Sequence, residues 1–357
     1  MKRTKRCIDA VKSVSSKATV EPPLRKVKLE FPQIDVKLEE EVNQSLTSIK
    51  QEEDEYRKID HIKVEIENKI VSPNVFPYVD KEHETIGPNN WSQIYNDIVN
   101  MRKLFMAPVD TQGCERMPNT INPNIKERNP RTYRFQLLIS LMLSSQTKDE
   151  VNYDAMMKLH HGMMELGHKE GLTLEAIKAL SEAEIDTYIN KVGFHNRKSV
   201  YIKKTCEMLE AQFNGDIPKT IEEIVQFPGV GPKMGYLLLQ NGWNINSGIG
   251  VDVHLHRLAQ MWGWVPKNSK SPEHTRLELE KWLPEKYWAD INPLTVGFGQ
   301  VICPSVASNC DICSLATKGL CKSSNKKLLK FPLSDERKAK LMKSRADLSE
   351  LMEYLEA

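Results

Sequence analysis

The stretch FPGVGPKMG, from Phe227 to Gly235, joins two amphipathic helical segments through a Gly-x-Gly turn. Pro232 suits the first turn of the second helix, and Gly229 and Gly231 can adopt the positive φ angles that expose backbone N–H groups. Such N–H groups, together with the positive end of the helix dipole, bind phosphate. The pattern therefore predicts a helix-hairpin-helix element that holds a nucleic-acid backbone without reading its sequence.

Lys233 opens the second helix of this hairpin, and it has two interpretations. As a phosphate contact, it would resemble most lysines beside such a turn. As a nucleophile, it would use a neutral amine to attack an electrophilic sugar carbon. A helix N-terminus and partial burial both disfavour the charged ammonium, and so both favour the second interpretation.

Asp252 follows Lys233 by nineteen residues, within the motif GVDVHLHR. Its ordinary role would be to cap the N-terminus of the next helix. A carboxylate that faced Lys233 across a cleft would instead stabilise the positive charge that grows on a sugar as its base leaves. The sequence leaves both roles open.

Four of the seven cysteines lie close together near the end of the chain, with six, two and seven residues between them. In a chain without a secretory signal pattern, such a group indicates a metal or cluster site rather than disulfides. Spacing alone does not decide between Zn²⁺ and [4Fe–4S], although the long first gap fits an iron–sulfur loop. The four residues are Cys303, Cys310, Cys313 and Cys321.

Helices must position these residues, because strand signals are poor throughout. From about residue 130 to 300, the chain consists of apolar residues at helical spacing, separated by short loops. This pattern predicts an all-α fold. Residues 323–357 form a Lys-rich linker and then a terminal helix, expected to dock on its own protein, with partner binding as the alternative.

Residues 1–90 differ from the rest, since apolar residues are sparse and the charge changes from basic to acidic. We expect a disordered tail there. It repeats a tetrapeptide of an aliphatic residue, Lys, any residue and Glu. This tetrapeptide resembles the acceptor motif for a small ubiquitin-like modifier, and chance in a Lys/Glu-rich segment is the alternative. The four acceptor lysines would be Lys28, Lys37, Lys50 and Lys63.

The 357 residues include 50 Lys and Arg and 48 Asp and Glu. The resulting net charge of +2 is too small to make the protein basic overall. A nucleic-acid surface must therefore arise from local clustering. No run of about 18 apolar residues exists, so we expect no membrane span. The start of the chain also has no apolar signal segment, which predicts a reducing compartment.

Seven motifs together resemble the endonuclease III family of DNA repair glycosylases, and its eukaryotic endonuclease III-like members in particular. They are LSSQTKDEV, VGFHNRKSVYIKKTC, GDIP, FPGVGPKMG, GVDVHLHR, SPEHTRLELEKWLP and VGFGQVICP, in the family's order. The resemblance covers residues 91–322. It implies a two-lobed helix-hairpin-helix fold with DNA across the groove. Residues 127–245 would form a six-helix barrel, and residues 91–126 with 246–322 a lobe that carries the [4Fe–4S] cluster.

The resemblance implies removal of oxidised pyrimidines such as thymine glycol from double-stranded DNA, followed by strand cleavage. Lys233 matches the family's Schiff-base lysine and Asp252 its catalytic aspartate. Gln146 matches the glutamine that enters the gap left by the flipped base. Phe194 matches an apolar wedge position, with a core aromatic as the alternative, and His254 a histidine beside the aspartate.

The resemblance also makes the four clustered cysteines the cluster ligands and implies a monomer. In two places the chain departs from the family pattern. Seven residues separate Cys313 from Cys321, where the family usually has five, so Cys321 is the least secure ligand. The first cysteine loop, PSVASN, carries no Lys or Arg, which predicts weaker phosphate contact there.

Two rival functions remain at this point. One is a monofunctional mismatch glycosylase, which shares the hairpin, aspartate and cluster but lacks the hairpin lysine. The other is a non-catalytic DNA-binding module with a structural metal. For location, basic clusters at residues 2–6 and 25–28 indicate the nucleus, and a mitochondrial presequence is the alternative.

Overall fold

The structure, a computed structural model, describes residues 75–356, and every regular element in that range is helical. The all-α prediction is therefore confirmed. The four predicted modifier-acceptor lysines and both basic clusters lie outside the described residues. Within the described range, no helix is long and apolar enough to cross a membrane.

The helices range from 4 to 19 residues, and three 3₁₀ turns (Lys81–His83, Glu285–Tyr287 and Cys310–Ile312) accompany them. In chain order they are α1 (Trp91–Arg102), α2 (Pro108–Gln112), α3 (Met117–Ile121), α4 (Ile125–Arg128), α5 (Pro130–Ser144), α6 (Asp149–Glu165), α7 (Leu174–Ala179), α8 (Glu182–Ile189), α9 (His195–Phe213), α10 (Ile221–Ile224), α11 (Pro232–Trp243), α12 (Val253–Trp262), α13 (Pro272–Glu280), α14 (Trp288–Val301), α15 (Ser314–Thr317), α16 (Asp335–Leu341) and α17 (Ser349–Glu356).

The described residues form two hydrophobic cores. The first joins residues 76–109 to residues 249–352, with α14 in contact with α1, α2 and α12. The second extends from Met117 to Leu239 around α5, which contacts α3, α4, α6, α9 and α11. The middle of α5 is apolar on most sides, and this suits a helix surrounded by five others.

One boundary differs from the sequence analysis, which places residues 91–126 together in the cluster lobe. Met117, Ile121 and Ile125 instead belong to the second core. The reason is that α3 and α4 pack against α5, the helix that directly follows them. The chain therefore passes from one core to the other before residue 117.

The predicted tail also ends earlier than residue 90. Phe76 and Val79 are buried in the first core, and the backbone N–H of Val79 donates to Asn96 Oδ1 at 2.8 Å. The backbone N–H of Asp80 donates to the Tyr287 hydroxyl at 3.0 Å. Two apolar residues in a polar stretch were too weak a signal to show this docking from sequence.

The C-terminal helix α17 docks on its own protein. Leu348 and Leu351 are fully buried in the first core. Just before it, Arg345 forms an ion pair with Glu150 at 2.7 Å, and Glu150 lies in the first turn of α6. The segment therefore connects the first core to a helix of the second.

Candidate active site and metal centre

A cleft of about 750 Å³, lined by residues of both cores, collects five of the seven residues predicted for catalysis or DNA binding. Its lining includes Gln146, Gly231, Lys233, Asp252 and His254. Phe194, Gly229 and the four clustered cysteines lie outside that lining. The cleft thus brings the nucleophile candidate and the carboxylate candidate into one space, although nineteen residues separate them in the chain.

The hairpin between α10 and α11 is built by two glycines with different tasks. Gly229 has a φ of 78°, and a Cβ at this position would lie 2.6 Å from Tyr201 Cδ2. Gly231 has a φ of −99°, so the expected positive φ is wrong there, and a Cβ would meet nothing within 4 Å. Gly229 therefore makes the turn, and Gly231 leaves open space at the N-terminus of α11. First-turn N–H groups of a helix have no intrahelical acceptor, so they suit an anion there.

Close packing of glycines against α11 brings Asp252 towards Lys233. A Cβ on Gly250 would lie 2.8 Å from Leu237 Cγ and 3.4 Å from the Lys233 carbonyl oxygen. Asn292 holds this segment from the other side, through a hydrogen bond from its side-chain amide to the Gly250 carbonyl. Any larger residue at position 250 would push the aspartate loop away from the lysine helix.

Lys233 and Asp252 differ in their surroundings. Lys233 is exposed, whereas the sequence analysis expects partial burial. Asp252 is buried, and its Oδ1 accepts a hydrogen bond from the backbone N–H of Leu255 at 2.8 Å. The N-cap interpretation of Asp252 is thus correct. It leaves the second carboxylate oxygen for a further role, since capping uses one oxygen.

His254 is half-buried beside Asp252 and packs against α14. A Cβ on Gly299 would lie 2.6 Å from His254 Nδ1. Burial lowers the pKa of His254, and the Asp252 carboxylate opposes this effect. A neutral imidazole can donate from one nitrogen and accept at the other, which suits a polar contact rather than a fixed charge.

Gln146 and Phe194 lie in two neighbouring turns, and both have left-handed backbones, with φ of 52° and 58°. A Cβ on Gly193 would lie 2.5 Å from the Gln146 carbonyl oxygen, so glycine allows the two turns to touch. The backbone N–H of Gly193 also donates to Thr147 Oγ1 at 3.2 Å. Phe194 is 58% exposed, so the core-aromatic alternative is wrong.

The cleft contains acidic groups that sequence reasoning missed, notably Glu115 and Asp149. Burial raises the pKa of both carboxyl groups, and the Lys233 ammonium acts in the opposite direction on each. Asp149 Oδ2 also accepts from Gln300 Nε2 at 2.8 Å, and Gln300 Oε1 accepts from the Val109 N–H at 3.0 Å. No motif signals Glu115, because it reaches the cleft only through the packing of residues 108–117.

The four clustered cysteines line one small cavity with Met261, Trp262 and Phe298. Cys321 reaches it even though the segment before it is longer than the family's. Helix α15 lies in this segment, and the backbone N–H of Cys321 donates to the Leu315 carbonyl at 3.0 Å. Arg257 also donates to the Cys303 carbonyl and approaches its Sγ at 3.7 Å. Four thiols around one cavity can hold a metal centre.

The chain is similar in sequence to known proteins over its central residues. Residues 139–285 match the family model described as HhH-GPD superfamily base excision DNA repair protein. That range includes the hairpin, Lys233 and Asp252, so the chain contains a domain of this class.

Among curated proteins, the chain is 44% identical over 257 residues to the endonuclease III homolog of Schizosaccharomyces pombe, covering 72% of this chain and 68% of the relative. It is 43% identical to endonuclease III-like protein 1 of Gallus gallus, covering 63% of this chain and 75% of the relative. A solved non-covalent endonuclease III–DNA complex aligns with a TM-score of 0.48 and 24% identity, covering 63% of this chain and 100% of that one. On the sequence matches, the chain belongs to the endonuclease III family.

Proposed function

We propose that this protein is a bifunctional DNA glycosylase and AP lyase that excises oxidised pyrimidines, such as thymine glycol, from duplex DNA in base excision repair. The observation that carries the proposal is the position of Lys233 in the first turn of α11, in one cleft with Asp252. The glycine turn would hold DNA phosphates, and the cleft would receive a nucleotide extruded from the duplex.

In this mechanism the ammonium of Lys233 first gives a proton to water, and the neutral amine then attacks C1′ of the extruded sugar. The bond from C1′ to the base breaks, and Asp252 stabilises the positive charge that develops on the sugar. The amine and the opened sugar then form an iminium, which acidifies the C2′ proton. Loss of that proton breaks the strand on the 3′ side by β-elimination.

Gln146 and Phe194 would support the distorted duplex. Because their turns touch at Gly193, the two side chains are set on one rigid unit beside the cleft. Gln146 would enter the space left by the flipped base, and the exposed ring of Phe194 would act as a wedge on the opposite strand.

We further propose that the four cysteines ligate a [4Fe–4S] cluster. A tetrahedral Zn²⁺ site, with Zn–S bonds of about 2.3 Å, places its sulfurs about 3.8 Å apart. Within residues 75–356, three possible ligand atoms lie within 4.8 Å of one another at Asp80, Glu82 and His83. No three of the cysteine sulfurs in this range lie that close together. The wider spread of the thiols supports a cluster over one zinc ion. When bound, the cluster would order its loop by joining four cysteines.

The test is borohydride trapping on a duplex that carries thymine glycol. We expect the natural protein to form a covalent adduct with DNA and Lys233→Ala to form none. The matched control is Lys148→Ala, which removes another exposed lysine that lines the same cleft. The control should trap as the natural protein does.

Either of two results would contradict the lysine nucleophile. One is an adduct that survives in Lys233→Ala, and the other is base excision without any adduct from well-folded natural protein. The second result would support a monofunctional glycosylase. Absence of both excision and adduct would support a non-catalytic DNA-binding module.

Location and partners rest on the sequence patterns of the N-terminal segment. We propose that the protein acts in the nucleus as a monomer, with mitochondria as the alternative location. Modifier conjugation in the N-terminal segment would show as additional gel bands in cells, and these bands should disappear when all four acceptor lysines are replaced.

A further inference from the structure

Four carboxyl groups line the cleft, and three of them have a hydrogen-bond partner in another residue. Asp149 accepts from a glutamine, Asp252 caps α12, and Glu273 accepts from Arg276 at 2.6 Å. Among the described residues, no hydrogen bond from another residue reaches the fourth, Glu115, whose carboxyl interacts with its own backbone N–H. Glu115 is thus the carboxyl group in the cleft that no hydrogen bond from another described residue holds.

A tight backbone turn holds this carboxyl group in place. A Cβ on Gly113 would lie 2.3 Å from the Val109 carbonyl oxygen and only 3.0 Å and 3.1 Å from the two Glu115 carboxyl oxygens. The glutamate side chain therefore folds back over Gly113 and does not extend into solvent. A fixed position is what a group needs in order to act on a bound ligand.

The charges around Glu115 come from several elements that face the same space. Burial raises its pKa, and Asp149 at the start of α6 acts in the same direction. Arg116 and Lys233 act in the opposite direction. Cys114, Asp149 and Lys233 line the same cleft as Glu115. Burial here acts in favour of the protonated carboxyl of Glu115, and a protonated carboxyl can donate a hydrogen bond.

We propose that Glu115 is the acid that protonates the departing base. The proposal rests on the proposed function and adds to it the fate of the leaving group. A pyrimidine carries carbonyl oxygens, and a base that leaves with the electron pair of its glycosidic bond becomes an anion. A carboxylic acid in the wall of the cleft can neutralise that anion as it forms.

The atoms and electrons balance in this step. The Lys233 nitrogen forms a bond to C1′, and the bond between C1′ and the base nitrogen breaks with both electrons going to the base. The Glu115 proton passes to the base, which leaves neutral, and Glu115 becomes a carboxylate. The nitrogen of Lys233, now a secondary ammonium, loses a proton that restores the acid.

The test compares two substrates for each variant, because an abasic site has already lost its base. Glu115→Gln keeps the size of the side chain but has no acidic proton. In single-turnover assays, we expect it to slow base release from thymine glycol DNA by about 10²-fold or more. Cleavage of a preformed abasic site should stay within about twofold of the natural protein, since that reaction needs Lys233 and no leaving-group acid.

Glu210→Gln is the matched control, since Glu210 is an exposed carboxylate on α9 that pairs with Lys178 outside the cleft. It should be unchanged on both substrates. Base release by Glu115→Gln at about the natural rate would overturn the proposal. So would equal loss on both substrates with an unchanged melting curve, because Glu115 would then act on the lysine or on DNA binding. Failure of the natural protein to trap on or cleave abasic DNA would instead refute the proposed function.

Discussion

Lys198 is a buried lysine that holds the end of α5 and the turn that follows it. It is 5% exposed, and its Nζ donates to the carbonyl oxygens of Leu143 and Ser145 at 2.6 Å and 2.7 Å. It also lies 3.3 Å from Thr147 Oγ1. These atoms flank Gln146, so one ammonium group fixes the turn that presents the predicted gap-filling side chain. Carbonyls at a helix C-terminus lack intrahelical donors, which is why a lysine suits this place.

Replacing Lys198 by methionine keeps the length of the side chain and removes the ammonium. The loss leaves two carbonyl groups without this donor, at a cost of about 1–3 kcal/mol each. Against this, burial lowers the pKa of Lys198 to about 8. A fall from the ordinary 10.5 to that value corresponds to roughly 3 kcal/mol of penalty on the charged form. The two effects offset each other in part near neutral pH, where we expect a net loss of at most about 3 kcal/mol.

The pH dependence separates the two effects. Between the folded pKa of about 8 and the unfolded value of 10.5, the unfolded state binds the proton and the folded state does not. The natural protein therefore gains stability as pH rises through this window, by about 2 kcal/mol from about pH 7.5 to about pH 9.5. Lys198→Met lacks this gain, so the stability difference between the two proteins should widen by that amount.

Urea unfolding followed by circular dichroism at the two pH values measures the difference. The matched control is Lys203→Met on the same helix, since Lys203 also donates to two backbone carbonyls, those of Lys178 and Leu180 at 2.5 Å and 2.6 Å, but is less buried. The stability difference from the natural protein should widen with pH for Lys198→Met and not for Lys203→Met. A difference that stays constant or narrows between the two pH values would refute the reasoning.

Three further predictions follow. Gly193→Ala should push the turn of Gln146 away, because the new Cβ would lie 2.5 Å from a backbone oxygen. Excision by this variant should fall roughly 10–100-fold. Gly231→Ala has open space around its new Cβ and should leave the melting temperature unchanged. Asp252→Asn keeps an oxygen for the N-cap, so stability should hold while base release slows by about 10²–10³-fold; retained activity would reduce Asp252 to a cap. Cys321→Ala should lose iron and the brown colour of the purified protein, and four irons per chain in the variant, by metal analysis, would contradict Cys321 as a ligand.

Sequence patterns succeeded where neighbouring residues carry the signal. The hairpin around Gly229, the Asp252 cap and the helical periods depend on backbone propensities within a few residues. The grouping of four cysteines also survives, because their spacing along the chain is short enough to bring them round one cavity.

Other features failed or were missed because they depend on distant contacts. The docking of Phe76 on the first core, the exposure of Lys233 and the transfer of α3 to the second core all follow from which surfaces meet. Glu115 lies in a segment without periodicity, and only the packing of residues 108–117 places it in the cleft.

The sequence by itself determined the all-α class, the glycine turn before α11, and the choice of Lys233, Asp252 and the four cysteines as candidate site residues. Only the tertiary structure showed that close packing at Gly250 brings the Asp252 loop to the Lys233 helix. It also placed Lys198 against the turn of Gln146 and Glu115 in the wall of the cleft. The physical reason is that residue type and local spacing set what chemistry a side chain can perform, whereas burial and proximity arise only when distant segments pack together.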